Sequence, residues 1–114
     1  EIRNDEIGLD IGMKTVSRFL NIIRKNTSVI WNGPMGAFET DSFKLGTNIL
    51  AEKIARLTKD KKNISIVGGG DTASAIINLG VDSSFSHVST GGGASLQLLS
   101  GLKLKLFESW EKYE

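Results

Sequence analysis

The sequence predicts an α/β fold: part of a doubly wound parallel sheet with flanking helices. Three observations carry that expectation. Short apolar runs alternate along the chain with stretches of helical periodicity. Each apolar run ends in a glycine-bearing turn: Asn32-Gly33-Pro34-Met35-Gly36, Gly68-Gly69-Gly70-Asp71-Thr72, and Gly91-Gly92-Gly93-Ala94-Ser95. The composition, 39% apolar and 24% charged, is that of an ordinary globular domain rather than a disordered chain. Strands alternating with helices are joined by right-handed crossovers and lie parallel.

The elements follow in order. Val16, Phe19, Leu20 and Ile23 fall at i, i+3, i+4 and i+7, one apolar face of a helix over about Met13 to Lys25. Ser28 to Trp31 is a short apolar run closed by Asn32-Gly33-Pro34, and its Val, Ile and Trp fit a buried strand. Ile49, Leu50, Ile54 and Leu57 form a second helical face. Lys59-Asp60-Lys61-Lys62 reads as a solvated loop between that helix and a second strand, Ile64 to Val67. A third helix fits Asp71 to Leu79, with Ala73, Ala75, Ile76 and Ile77. A third strand fits His87 to Ser89, and a last helix fits Ala94 to Ser100. Leu102 to Glu114 fits two patterns, an edge strand (Leu102, Leu104, Leu106) or a helix (Leu99, Leu102, Leu106, Trp110), and periodicity does not choose between them.

Size and charge bound the function. At 114 residues the chain is one small domain at most. Fourteen basic against 13 acidic residues leave a net charge of +1, so nothing points to nucleic acid or an anionic membrane as partner. With no Cys there is no disulfide, thiolate nucleophile or zinc–cysteine site, and one His excludes a multi-histidine metal centre. No apolar run reaches membrane-spanning length, and the opening residues lack the basic-then-apolar pattern of a signal peptide, so neither a membrane span nor a targeting segment is expected in these residues. The first residue is Glu1 rather than Met, so a processed product or a piece of a longer chain is expected.

In a parallel sheet all three glycine turns lie at the carboxyl ends of the strands, where open α/β sheets bind ligands. Glycine permits positive φ and close approach of a ligand to the backbone. The second and third turns run into helices, whose first amides are unpaired and attract anions, phosphate above all. Three consecutive glycines, twice, exceed what a plain turn requires. No Gly-Lys-Ser/Thr follows, so neither turn is a P-loop. Asp71 reads either as a helix N-cap or as a Mg²⁺ carboxylate, and Thr72 either as a cap or as a phosphate donor. Glu39 is either a surface carboxylate or an acceptor for both ribose hydroxyls. His87 reads as structural, Trp31 as core, and Trp110 with Tyr113 weakly as a docking surface.

Trp31-Asn32-Gly33-Pro34-Met35-Gly36-Ala37-Phe38-Glu39 resembles the nucleotide loop of the phosphoglycerate kinases. Gly68-Gly69-Gly70-Asp71-Thr72 resembles that family's second signature, and Ser86-His87-Val88-Ser89-Thr90-Gly91-Gly92-Gly93-Ala94-Ser95 its third. Gly8-Leu9-Asp10-Ile11-Gly12 is similar to the segment that opens the preceding helix. The resemblance runs from about Ile7 to Gly101, so residues 1–101 are expected to be the C-terminal portion of the nucleotide-binding domain and 102–114 a divergent tail.

The resemblance implies a cytoplasmic glycolytic enzyme. It has two Rossmann-like domains that close on each other, and it moves a phosphoryl group between 1,3-bisphosphoglycerate and ADP to give 3-phosphoglycerate and ATP, with Mg²⁺. Carried over by position, Gly8, Gly33 and Met35 line the adenine pocket, with Phe38 beside it. Glu39 takes the ribose hydroxyls. Asp71 is the Mg²⁺ carboxylate, and Thr72 with Gly69 and Gly70 meets the nucleotide phosphates. Gly70, Gly92 and Gly93 are the catalytic amides facing the transferring phosphoryl group. His87, Ser89 and Thr90 fall in the domain hinge.

The family's glycerate-binding domain and its phosphate-contacting lysines are not in this sequence, so the chain alone is expected to be inactive. The glycerate substrates would be held through the missing domain. Ala37 and Met13 stand where the family varies or has Pro, and the usual Leu-Pro-Gly ending is lacking after Gly101. A non-catalytic nucleotide-binding or interaction module derived from the kinase is the competing expectation; a flavin binder finds no support in the motifs. Three strands without their complement should expose a sheet edge and apolar helix faces, so the isolated chain is expected to self-associate or to need its complement.

Overall fold

The computed structural model describes residues 2–61 and 63–90. Helix α1 spans Met13–Arg24, strand β1 Ser28–Asn32, α2 Leu45–Lys61, β2 Ile64–Gly68, α3 Gly70–Leu79 and β3 His87–Val88; short 3-10 turns lie at Asp41–Phe43 and Asp82–Ser84. The helix expected over Ala94 to Ser100, the third glycine turn, Lys62, Trp110, Tyr113 and the tail fall outside the described residues.

The described strands form one parallel sheet in the order β1-β2-β3. Ser28 pairs with Ile64, Trp31 with Val67 and Asn32 with Gly68, while Ile66 pairs with His87. Helices α2 and α3 are the two crossovers, and the right-handed rule puts both on one face. Helix α2 packs against both α1 and α3. The expected α/β architecture is therefore present.

Alternation along the strands decides the faces. Trp31 and Val67 join the helices in one apolar core with Val16, Leu20, Leu50, Ile54 and Ile76, against which Val29 also packs. Ser65 points the same way, because its Oγ accepts from Thr58 Oγ1 of α2 at 2.7 Å. Ser65 also exchanges hydrogen bonds with Ser86, which tie the chain to β2 just before the two-residue β3. Ile76 is 0% exposed at the centre of α3. Ile76→Val should therefore cost about 1 kcal/mol in urea unfolding, the usual cost of one buried methylene; an unchanged midpoint would show that the site is loosely packed.

Three expectations are corrected. Lys59, Asp60 and Lys61 are exposed but helical, forming the last turn of α2 rather than a loop. Basic side chains at that end complement the helix dipole, which favours continuation over a break. Strand β3 stops at Val88, one residue short of Ser89. Phe19 lies on the exposed margin of the α1 stripe, which buries Val16 and Leu20 instead.

Candidate functional site

The turns after β1 and β2 leave the sheet side by side because the strands are parallel and in register up to Asn32 and Gly68. One hydrogen bond closes them together: the Gly33 N–H donates to Thr72 Oγ1 at 2.8 Å. Trp31 Nε1 donates to the Gly33 carbonyl at 2.6 Å, anchoring the first turn to a core indole. Gly33 and Gly69 both hold positive φ, 101° and 92°. A Cβ on Gly69 would stand 2.7 Å from Asn32 Oδ1, so Asn32, Gly33, Gly69 and Thr72 make one cluster.

Helix α3 begins directly on this cluster. Its N-cap is Gly69, and no side chain caps it. The first amides of α3 are therefore left to other partners, and the helix dipole adds partial positive charge there. Asp71 lies inside the first turn, exposed, and pairs with no described residue. Thr72 is fully buried and receives the Gly33 amide. The N-cap readings of Asp71 and Thr72 are thus corrected, because Gly69 holds that position. A Cβ on Gly70 would meet the Thr90 carbonyl at 3.3 Å, so the approach to the third turn comes close to the second. Gly92 and Gly93 lie outside the described residues.

The segment before α1 completes the edge. Ala37 N–H donates to the Leu9 carbonyl at 2.9 Å, which lays exposed Gly8 and its neighbours beside the first turn. Asp10 is the strut. Its Oδ1 accepts from Ile11 N–H at 2.8 Å and its Oδ2 from Gly46 N–H at 2.9 Å, at the start of α2. Asp10→Ala should cost about 2 kcal/mol, because two amides lose a charged acceptor; thermal unfolding checks it, and a loss under about 0.5 kcal/mol would deny the strut.

Three further expected site residues lie off the Gly33–Thr72 cluster. Met35 donates its N–H to Thr47 Oγ1 at 3.0 Å, and its side chain packs on the core. It lines an apolar groove beside β1. Phe38 and Glu39 line a cleft of ≈ 450 Å³ between α2 and α3, with Asp41, Lys44, Asn48 and Asn78. Ala75 and Asn78 line it from the face of α3 that Asp71 opens one turn earlier. The exposed Lys44–Asp41 pair spans 2.7 Å. The Lys44 hydrogen bond, and then its charge, hold the Asp41 carboxyl below its ordinary value.

Asn32, Thr47, Asn48 and Asn78 were not singled out by sequence. Only Asn32 carried a signal, its place between a strand and Gly33. Thr47 and the cleft asparagines depend on tertiary contacts. Among the described residues there is no group of three or more His, Cys, Asp or Glu that would hold a metal by itself, and no helix is long and apolar enough to cross a membrane.

The family model for phosphoglycerate kinase matches residues 1–102. The chain belongs to the phosphoglycerate kinase family. It is 50% identical over 104 residues to the phosphoglycerate kinase of Dictyoglomus turgidum, a match covering 91% of this chain and 26% of that one. It is 52% identical over 104 residues to that of Enterococcus faecalis, covering 91% of this chain and 25% of the relative. Among solved structures, phosphoglycerate kinase from Coxiella burnetii superposes with a TM-score of 0.72 at 39% identity, covering 82% of this chain and 23% of the other. The kinase from Pyrococcus horikoshii gives 0.63 at 34% identity over 82% of this chain and 22% of that one. The chain thus spans about a quarter of the length of these phosphoglycerate kinases.

Proposed function

We propose that this chain is the C-terminal portion of the nucleotide-binding domain of a phosphoglycerate kinase, with the tail from residue 102 outside that role. It would act in the transfer of a phosphoryl group between 1,3-bisphosphoglycerate and ADP, giving 3-phosphoglycerate and ATP in the glycolytic cytoplasm. The observation that carries the reading is the Gly33–Thr72 hydrogen bond, which merges two glycine turns into one edge at the N-terminus of α3. Phosphate oxygens are the natural guests of such an edge.

The roles follow from position. Gly69 and Gly70 let phosphates approach the backbone at the start of α3. The carboxylate of Asp71 is a hard oxygen donor, exposed and unpaired among the described residues, which suits Mg²⁺ shared with substrate phosphates. When bound, the ion would neutralise phosphate charge. Gly8 and Gly33 offer close backbone approach to the base, Met35 supports the first turn from the core side, and Phe38 with Glu39 extends the site toward the ribose. Gly70, Gly92 and Gly93 would aim amides at the transferring group, a task of positioning and charge stabilisation.

The isolated chain should be inactive, because it spans about a quarter of its relatives' length and the glycerate would be held through the part outside it. It should also self-associate or require its complement. The test is a full-length chimera in which this chain replaces the matched stretch of the Enterococcus faecalis phosphoglycerate kinase. The expected result is kinase activity in the chimera and none in the isolated chain. A folded chimera that binds nucleotide but transfers no phosphoryl group would favour the non-catalytic module instead.

A further inference from the structure

Two buried hydroxyls hold the first glycine turn. Gly33 N–H donates to Thr72 Oγ1 at 2.8 Å, and Met35 N–H donates to Thr47 Oγ1 at 3.0 Å. Pro34, between them, has no N–H to offer. Thr47 and Thr72 are both 0% exposed. Each is the third residue of its helix, so α2 and α3 both reach the turn from their N-terminal ends. The Gly33 carbonyl is taken by Trp31 Nε1, and Ala37 N–H by the Leu9 carbonyl.

An N–H makes one good hydrogen bond, so those of Gly33 and Met35 are already used within the protein. At these positions the turn offers a ligand its shape rather than a donor. The start of α3 differs, because no side chain caps it. Thr47 has no exposed surface with which to touch a ligand, so its influence on the site passes through Met35. Its own place is fixed by the neighbouring cap, where Asp10 Oδ2 accepts from Gly46 N–H at 2.9 Å. Thr58 gives the contrast on the same helix. Its hydroxyl donates to Ser65 Oγ of β2 at 2.7 Å and serves the sheet.

We propose that Thr47 is a positioning residue of the nucleotide site. Its hydroxyl fixes Met35 and, together with Thr72, sets the first turn in the shape that meets the nucleoside before the nucleotide arrives. Binding then does not have to order that turn, which is a cost a preset site avoids. Thr47 serves the first turn while the phosphates meet the start of α3, so its effect falls on the nucleoside half of the ligand. The proposal rests on the nucleotide reading of the glycine-turn edge and adds to it a residue that touches no ligand.

The chimera tests it with two variants. Thr47→Val keeps the branched shape and removes the acceptor; Thr47→Ser keeps the hydroxyl. Thr47→Val should raise KM for Mg-ADP at least about fivefold and change kcat less than about twofold. Thr47→Ser should stay within about twofold of the parent in both. Calorimetry should show the same loss of Mg-ADP affinity in Thr47→Val and none for Mg-pyrophosphate, which carries phosphates without a nucleoside. Thr58→Val is the control: it removes another hydroxyl from α2 and should lower Tm while leaving KM unchanged. Unchanged Mg-ADP affinity in Thr47→Val, an equal loss for Mg-pyrophosphate, an equal KM shift in Thr58→Val, or no recovery in Thr47→Ser each overturns the proposal. A Thr47→Val chimera that fails to fold makes the hydroxyl a general structural group and overturns it too. The parent chimera reads the underlying assignment. If it binds no Mg-ADP, both readings fall; if it binds and Thr47→Val binds equally well, this inference alone is refuted.

Discussion

Gly36→Ala should destabilise the protein by about 3 kcal/mol, among the larger effects a single added methyl can have. A Cβ at this position would lie 2.6 Å from the Phe43 carbonyl, 2.7 Å from the Leu9 carbonyl and 2.6 Å from Asp10 Oδ1. Two of these contacts are backbone, so no rotamer change relieves them. The third is the carboxylate that holds the start of α2. Relief would require the first turn to move away from both the 8–10 segment and the 3-10 turn at Asp41–Phe43. The Ala37–Leu9 hydrogen bond would be pulled with it. The expected outcome in the chimera is a lowered urea midpoint together with weakened nucleotide binding, because both depend on the same backbone approach. A stable Gly36→Ala protein would mean that the first turn is not clamped as described.

Asp71→Asn should separate binding from stability. Asp71 is exposed in the first turn of α3, where a carboxylate contributes about 0.3–1 kcal/mol through the helix dipole. Unfolding should therefore change by less than about 1 kcal/mol. Mg-ADP binding measured calorimetrically should weaken at least about tenfold, roughly 1.4 kcal/mol, while any binding that persists without Mg²⁺ should change far less. Equal Mg²⁺ dependence in the Asp71→Asn and parent proteins would remove Asp71 as the metal carboxylate. Thr72 is a poorer residue for this experiment. It is buried and joins the two turns, so its loss would damage the fold and the site together.

The sheet was legible in the sequence because strands and turns are local. Ser28 to Trp31 and Ile64 to Val67 are compact apolar runs, each stopped by glycine-bearing turns, and both became strands within one residue of expectation. Helix α1 was equally legible from its stripe of Val16, Leu20 and Ile23. The start of α2 was not. Its Gly46 amide is capped by Asp10, 36 residues away, and no local pattern announces such a cap. The solvated Lys59-Asp60-Lys61 stretch looked like a loop because polarity alone does not distinguish a loop from the exposed end of a helix.

The site was legible in part for the same reason. Glycine turns at the ends of parallel strands must share an edge, and Gly33, Gly69 and Thr72 do. Where side chains point beyond a turn depends on what they pack against. Met35 turns toward the core groove, and Phe38 and Glu39 enter the α2–α3 cleft, although all three follow Gly33 within a few residues. The cleft itself is built by Asn48 and Asn78 from two different helices.

The most direct test of the nucleotide site is hydrogen exchange of the chimera with and without Mg-ADP. Slowed exchange in peptides covering residues 32–39 and 69–75, and little change over 16–31, is the predicted result. Protection that leaves both turns untouched, whether it falls on the β1 groove or nowhere in this chain, would contradict the assignment of the glycine-turn edge as the place where the nucleotide binds.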